Sequence, residues 1–353
     1  MARRMLSVLL KSVSVVVLAL LVVVIGATGW LVLSSPQARD APGWSLLSEM
    51  PLPHGELAST VAQRVTDCPD GPCPQEPRLV VLGGIAGMGQ VLDTVHFYDP
   101  QAQTWATGPA LPEPRHHTSA TSMGGSVYVT GGAASLDRPW VGEAGFWQLD
   151  PQATQWRELP DMPEPRWGHR VVAYDGRLYV VGGEGETGDV LIYDPADGWS
   201  RGAPMPEPRD HLSVVIAGDE LWAIGGRAPH SLSRVDIYDP ANDVWRDGPD
   251  LPEPTSGAAE GVVGDYILIF GGEEPALRGG GVFDRHWQLA WGEADAQWQP
   301  APPPPLPVHG ADGAVLDGNL VIAGGAARHG LMSLFGWTGL VQVLDADMLD
   351  ADR

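Results

Sequence analysis

Arginine and histidine recur at one place in the chain, directly after a Pro-Glu-Pro tripeptide. The residues at this place are Arg115, His116 and His117 in one unit, Arg166 and His169 in the next, and Arg209 and His211 in the third. An arginine fork binds carboxylates through two parallel hydrogen bonds, and histidine adds a donor and an acceptor. The pattern predicts a face that binds carboxylates or polar glycans. The alternative is structural, with each arginine paired to a carboxylate or backbone of a neighbouring unit.

A second group of charged residues follows glycine doublets. Glu184, Arg227 and Glu273 each directly follow such a doublet. No His-Glu-x-x-His, Gly-x-Ser-x-Gly or Walker sequence accompanies them, so the motifs of common metalloproteases, hydrolases and nucleotide-binding enzymes are absent. We therefore expect no metal centre, no cofactor and no assigned catalytic residue.

The elements that position these residues repeat along the chain. The doublets begin at Gly83, Gly131, Gly182, Gly225, Gly271 and Gly324, at intervals of 43 to 53 residues. Around most of them stand an apolar strand, a second strand ending in Tyr-Asp-Pro or Leu-Asp-Pro, a tryptophan and then the Pro-Glu-Pro segment. The fifth unit has Trp291-Gly292-Glu293 in place of Tyr-Asp-Pro, and the sixth lacks the trailing tryptophan. We predict that each unit folds into a four-stranded antiparallel blade. Neighbouring blades cover the two faces of that blade when the units form a ring. In such blades the inter-blade links and the loops after the doublets emerge on one face, which gathers both groups of charged residues.

The double glycine, the following tyrosine and the spaced tryptophan resemble the kelch repeat over about residues 44–345. The resemblance implies an all-β fold, a six-bladed kelch-type β-propeller. The resemblance does not indicate one particular function, because kelch propellers have many roles. The interpretation we adopt is a binding module for an unidentified protein or glycan.

Two enzyme families of kelch propellers offer alternatives. Galactose-oxidase-like copper enzymes use a cysteine crosslinked to a tyrosine, and the two cysteines of this chain lie in an inserted loop, which disfavours that chemistry. Sialic-acid mutarotases are similar in architecture. Glu184 or Glu273 with Arg166 or Arg209 would supply their acid–base and carboxylate-binding groups, although their motif is not matched residue by residue. A carbohydrate mutarotase or epimerase is thus the enzymatic alternative.

Trp44 precedes the first doublet, whereas the last unit has no trailing tryptophan after the strand that ends near Asp345. We infer that the segment around Trp44 supplies the outer strand of the sixth blade. Cys68 and Cys73 stand in the extra residues before Gly83 and predict a disulfide that staples a surface loop.

The N-terminal part predicts a membrane anchor. Residues 12–33 carry no charge, and Arg3, Arg4 and Lys11 precede them. About 22 helical residues span a bilayer core, and the positive-inside rule leaves the N-terminus cytoplasmic. The expected organisation is residues 1–11 cytoplasmic, 12–33 a transmembrane helix, 34–43 a linker and 44–353 an extracytoplasmic propeller, in a bacterial periplasm or on a cell surface. A cleaved signal peptide would export the same domain.

The charge of the chain restricts its partners. The net charge is −23, from 44 acidic and 21 basic residues. Such a protein repels the phosphates of nucleic acids, so nucleic-acid binding is not expected.

Overall fold

The computed structural model describes residues 36–65, 75–137, 141–185, 187–274, 281–293 and 295–349. These residues form six four-stranded antiparallel sheets, the blades of a propeller. Blade 1 consists of Ala58–Val65, Gln75–Leu82, Val95–Asp99 and Thr104–Thr107. Blade 2 consists of Ser119–Met123, Ser126–Thr130, Phe146–Leu149 and Arg157–Glu158. Blade 3 consists of Trp167–Tyr174, Arg177–Glu184, Asp189–Asp194 and Gly198–Pro204. Blade 4 consists of Ser213–Ala217, Glu220–Ile224, Val235–Asp239 and Val244–Asp247. Blade 5 consists of Ala259–Val263, Tyr266–Phe270, His286–Ala290 and Gln299–Pro300. Blade 6 consists of Asp312–Leu316, Asn319–Ala323, Val341–Leu344 and Trp44–Leu46.

Three short elements lie outside the blades. A small sheet joins His54–Gly55, Ile85–Ala86 and Gln90–Val91, and 3₁₀ helices span Gly330–Phe335 and Ala346–Met348. Among the described residues, none of the helices is long and apolar enough to cross a bilayer. The predicted anchor at residues 12–33 and the predicted Cys68–Cys73 disulfide lie outside the described residues.

The hydrophobic core consists of six clusters, and each cluster joins two adjacent blades. One of them joins blade 6 to blade 1 and so closes the ring. The second strand of a blade is covered on both faces, as in Ser126–Thr130 and Tyr266–Phe270, where every residue is buried. Neighbouring blades thus supply the cover that a single sheet lacks, as the repeat pattern predicts.

The ring is closed by an N-terminal strand. Trp44–Leu46 pairs antiparallel with Val341–Leu344, with Trp44 opposite Leu344. The indole Nε1 of Trp44 donates to the carbonyl oxygen of Pro302, and its ring packs edge-on against Phe270. This confirms the inference that the Trp44 segment completes the sixth blade.

The doublet glycines allow blades to approach closely. Gly83 has φ of 64°, and a Cβ atom there would lie 2.6 Å from the carbonyl oxygen of Arg115 in the next blade's link. Real Cβ atoms do not approach an oxygen so closely, so only glycine fits. The doublets therefore bring the arginine-bearing links to the inner end of each blade.

Candidate functional site

Six peptide groups form a closed hydrogen-bonded ring around the propeller axis, one from each blade. The members are Glu56, His117, Gly168, His211, Gly257 and Gly310. Each amide nitrogen donates to the carbonyl oxygen of the previous member, at 2.6 to 3.1 Å, and Glu56 donates to Gly310 to close the circle. All six have positive φ, between 50° and 65°. We call these six residues the axial ring.

The axial ring lies on the face that carries the loops after the glycine doublets. The residue before each of two ring members pairs with such a loop: Gly55 with Ile85, and His116 with Ala133. This confirms the prediction that the links and the post-doublet loops share one face. We call it the loop face.

Three side chains of the axial ring meet at the axis. Glu56, His117 and His211 offer ligand atoms that all lie within 4.8 Å of one another. The Nε2 atom of His117 lies 3.1 Å from Oε2 of Glu56, and its Nδ1 lies 2.5 Å from Nδ1 of His116. Burial, and then the neighbouring His211 and His116, hold the pKa of His117 well below its usual range, so this ring is neutral. A cavity of about 30 Å³ lies beside the three residues, large enough for one ion or one water.

A charged cluster borders this centre. Asp210 contacts Nδ1 of His211, and the Nε atom of Arg227 donates to Oδ1 of Asp210 at 2.8 Å. Nη2 of Arg227 lies 3.0 Å from Nε2 of His211, and Nη1 lies 3.8 Å from Glu273. Burial acts to raise the pKa of Asp210, but hydrogen bonding from His211 and the charge of Arg227 outweigh it and lower that pKa. Asp210 and Glu273 thus flank the guanidinium of Arg227, and Glu56 adds a third carboxylate beside His117.

The three arginines that follow Pro-Glu-Pro are buried rather than displayed. Arg115 is 2%, Arg166 0% and Arg209 2% exposed. The Nε atom of Arg166 donates to Glu164 at 2.9 Å, and its Nη1 donates to the carbonyl of Gly182 at 2.9 Å.

The other two arginines are bound in the same way. Arg209 binds Asp236 at 2.7 Å, and Arg115 binds Glu113 at 2.6 Å and lies over the ring of Trp147. These contacts give the three arginines the structural role of the alternative, but each carboxylate lies in the arginine's own link or blade rather than in a neighbouring unit. The guanidinium groups are therefore engaged in the interior and not displayed to a ligand.

The remaining predicted residues divide between the interior and the surface. His116 and His169 are each 1% exposed, and burial, followed by the charges of Arg166 and Arg170, lowers the pKa of His169 to about 3. Glu184 is exposed. Of the predicted face, the structure therefore brings together His117, His211, Arg227 and Glu273 with the buried His116. Glu184 pairs through its backbone with Trp167, whose ring packs against His117 and His211. Neither Arg166 nor Arg209 presents its guanidinium to a carboxylate on Glu184 or Glu273.

A second charged group, which the repeat pattern did not indicate, lies on the axis beneath the ring. Arg170 of blade 3 reaches across to blades 5 and 6, where its Nε lies 2.6 Å from Glu260 and its Nη2 lies 3.5 Å from Asp312. Burial raises the pKa of Glu260 to about 7, and burial also raises that of Asp312. The available signal was a charge within an otherwise apolar or small-residue inner strand. This triad borders a cavity of about 410 Å³ lined by the inner strands.

Comparisons with known proteins agree with this architecture. Residues 72–202 match the model of the KLHDC2/KLHL20/DRC7 Kelch-repeats domain, and residues 208–252 match the Kelch motif. The chain is a kelch-repeat β-propeller.

Similar proteins match this kelch propeller over part of their length. Kelch-like protein 35 of Mus musculus is 28% identical over 159 residues, 44% of this chain and 24% of that protein. Kelch repeat and BTB domain-containing protein 13 of Homo sapiens is 34% identical over 110 residues, 30% of this chain and 24% of that protein. The kelch propeller thus spans about a quarter of these relatives. The solved structure of YjhT covers 84% of this chain and 99% of its own, with a TM-score of 0.64 and 18% identity, which shows a shared fold.

Proposed function

We propose that this kelch propeller is a protein-recognition module whose binding surface is the loop face. The observation that carries the proposal is the presence on that face of an acidic axial centre beside exposed apolar loops. A partner segment that presents a basic residue between apolar side chains would complement both parts.

The apolar part lies on the loops of blades 1 and 2. In the described part of the chain five large hydrophobic side chains are exposed, and Met88, Leu136 and Val141 are three of them. Met88 is 72% exposed. The two loops touch, because a Cβ atom at Gly89 would lie 2.8 Å from Cδ1 of Leu136. Exposed apolar side chains grouped within a polar surface are typical of protein-binding sites.

The charged part of the loop face determines which charge a partner segment must carry. Glu56, Asp210 and Glu273 outnumber Arg227, and the arginines that would have favoured an anion are buried in ion pairs. Electrostatic complementarity therefore favours a basic segment, and the net charge of −23 accelerates its approach. This replaces the carboxylate or glycan ligand that the arginine pattern alone suggested.

A photo-crosslinking amino acid at position 88 of the full chain, expressed in its native cells, tests the proposal. We expect one discrete adduct from position 88 and a weaker adduct when Leu136→Glu is added, because the glutamate places a charge in the apolar contact. Position 244 on an outer strand is the matched control, since Val244 is 51% exposed and lies away from the loops. Equal adducts from positions 88 and 244, or none from position 88, would contradict the proposal.

We also propose that the propeller is tethered outside the cytoplasm by residues 12–33. The support is the uncharged stretch and the basic residues that precede it. Protease added to sealed cells or spheroplasts should degrade the propeller while leaving a cytoplasmic marker intact. A propeller protected until lysis would place it inside.

A mutarotase-like activity is the second candidate, because Glu56 and His117 form a partly exposed pair 3.1 Å apart that could exchange a proton with a sugar hydroxyl. Polarimetry of freshly dissolved α-sugars, sialic acid included, tests it. Faster anomer equilibration that is lost in Glu56→Gln would support an enzyme. An equilibration rate that the protein does not change would leave protein recognition as the one proposed function.

A further inference from the structure

We propose that Glu56, His117 and His211 bind a divalent transition-metal ion on the propeller axis. The three residues come from blades 1, 2 and 4, yet their ligand atoms all lie within 4.8 Å of one another. The Nε2 atom of His117 is 3.1 Å from Oε2 of Glu56. Ligand atoms of a tetrahedral zinc ion are about 3.4 Å apart when each bond is about 2.1 Å long. Small side-chain rotations would therefore bring the three atoms to coordination distance.

The axial ring keeps the space around these ligands clear. Its other three members are glycines, and at Gly168 and Gly310 a side chain would meet the ligands. A Cβ atom at Gly168 would lie 3.0 Å from Nδ1 of His211, and one at Gly310 would lie 2.6 Å from Oε1 of Glu56. The backbone hydrogen bonds of the ring fix the positions from which the three side chains converge. A preorganised first shell of this kind is what a metal site requires.

Partners behind the two histidines orient their rings. Asp210 contacts Nδ1 of His211, and His116 contacts Nδ1 of His117 at 2.5 Å. A carboxylate behind a histidine is the usual outer-shell arrangement of a metal-binding imidazole, because it fixes the tautomer and raises the basicity of the other nitrogen. In His211 that nitrogen, Nε2, contacts Nη2 of Arg227 at 3.0 Å. Metal binding would replace this contact, while Arg227 would keep its 2.8 Å bond to Asp210.

The electrostatics of the surroundings favour a cation. Glu273 has a buried Oε2 atom that makes no hydrogen bond among the described residues. The same atom lies 3.7 Å from Nδ1 of His309, which is also 3.7 Å from Oε1 of Glu56. Arg170 also lines the adjoining cavity, but it is paired with Glu260 and Asp312 beneath the ring. The carboxylates of Glu56, Asp210 and Glu273 then remain against the one guanidinium of Arg227, and this excess of negative charge favours a cation.

The donor set selects the class of metal. Two imidazoles and one carboxylate suit Zn²⁺, Co²⁺ or Ni²⁺, whereas Ca²⁺ and Mg²⁺ prefer oxygen ligands only. The adjoining cavity of about 30 Å³ has the size of an ion with at most one water. The side chains of Glu56 and His117 are 15% and 16% exposed, so an ion can enter from the loop face. Three protein ligands would leave one position of a tetrahedral ion for water.

Metal titration of the full chain, purified without a polyhistidine tag and stripped with EDTA, tests the proposal. We expect calorimetry to show one Zn²⁺ per chain, and Co²⁺ to give the intense visible absorption of a four-coordinate ion. His117→Gly and His211→Gly should each weaken Zn²⁺ binding by about 100-fold and abolish the Co²⁺ bands. Glycine is the appropriate replacement because three ring positions already have it at similar φ.

His230→Ala is the matched control, since His230 is exposed and belongs to no cluster of ligands among the described residues. Its Zn²⁺ affinity should equal that of the wild type. If circular dichroism shows that the glycine variants unfold, Glu56→Gln, which keeps the shape but removes the charge, decides the question. Absence of Zn²⁺ binding by the wild-type chain, or unchanged affinity in the folded Glu56 and histidine variants, would overturn the proposal. The experiment needs no partner protein, so its outcome is separate from that of the proposed function.

Discussion

The amide nitrogen of His211 donates a hydrogen bond to the carbonyl oxygen of Gly168 at 2.7 Å, although the two residues belong to different blades. Both have positive φ, 52° and 65°. Glycine adopts such angles at no steric cost, whereas other residues are uncommon there. The backbone of the axial ring thus favours glycine at every position, and Glu56, His117 and His211 occupy it against that preference. A role for their side chains at the axis explains why.

Exchanging the two residue types at the ring should have unequal effects on the free energy of unfolding. His211→Gly should leave the free energy of unfolding within about 1 kcal/mol of the wild type, because the relief of positive φ offsets the lost side-chain contacts. Gly168→Ala should lower it by about 1 to 3 kcal/mol, because it combines positive φ with a Cβ atom 3.0 Å from His211. Urea unfolding of both variants measures the difference. A Gly168→Ala variant as stable as the wild type would show that the ring has no preference for glycine.

Removing the buried guanidinium of Arg166 should destabilise the propeller. Arg166→Ala leaves the carboxylate of Glu164, 2% exposed, without its main partner. The expected loss is about 3 to 5 kcal/mol in the free energy of unfolding. The control is Arg246→Ala, whose pair with Glu220 is exposed to solvent and should contribute less than about 1 kcal/mol. A stable Arg166→Ala variant would contradict a bracing role and return this residue to the candidates for ligand binding.

The blade architecture could be predicted from the sequence because each repeat contains the same local signals. The doublet glycines, the tryptophans and the Asp-Pro turns act within one blade or between neighbours, so their spacing is sufficient to locate them. Even the closure by Trp44 followed from counting, since one tryptophan preceded the first doublet and one was absent at the end.

The chemistry of the loop face could not be predicted in the same way. Whether Arg166 faces a ligand or Glu164 depends on side-chain direction, which repeat spacing does not determine. Glu56 lies in the first link, where no Pro-Glu-Pro marks the position, and it meets His117 and His211 only once the ring is closed. Arg170, Glu260 and Asp312 meet across the axis from three blades. Contacts across the axis therefore required the structure.

Acid should destabilise the propeller through its buried histidines. Burial lowers the pKa of His286 to about 4, so this ring stays neutral in the folded chain while the unfolded chain takes up a proton near pH 6.5. Its contribution to stability is complete above pH 6.5 and is lost as the pH falls toward 4. The slope approaches about 1.4 kcal/mol per pH unit. His286→Asn, which keeps an acceptor for the amide of Gly271, should flatten urea-derived stability between these pH values. His230→Asn, at an exposed position, should leave the slope unchanged; equal slopes in all three proteins would refute the assignment.

The N-terminal strand should be a principal source of stability, because it joins the beginning of the propeller to its last blade. Trp44→Ala removes the edge-on contact with Phe270, whose centroid is 5.1 Å away, and the hydrogen bond to Pro302. It should cost about 3 kcal/mol, the lower end for a tryptophan because the side chain is only partly buried. Leu46→Ala in the same strand, at a side chain 47% exposed, should cost less than about 1 kcal/mol. Thermal and urea unfolding of both variants separate the two cases. If Trp44→Ala were as stable as Leu46→Ala, the strand would contribute backbone pairing alone, and the tryptophan would not be needed for closure.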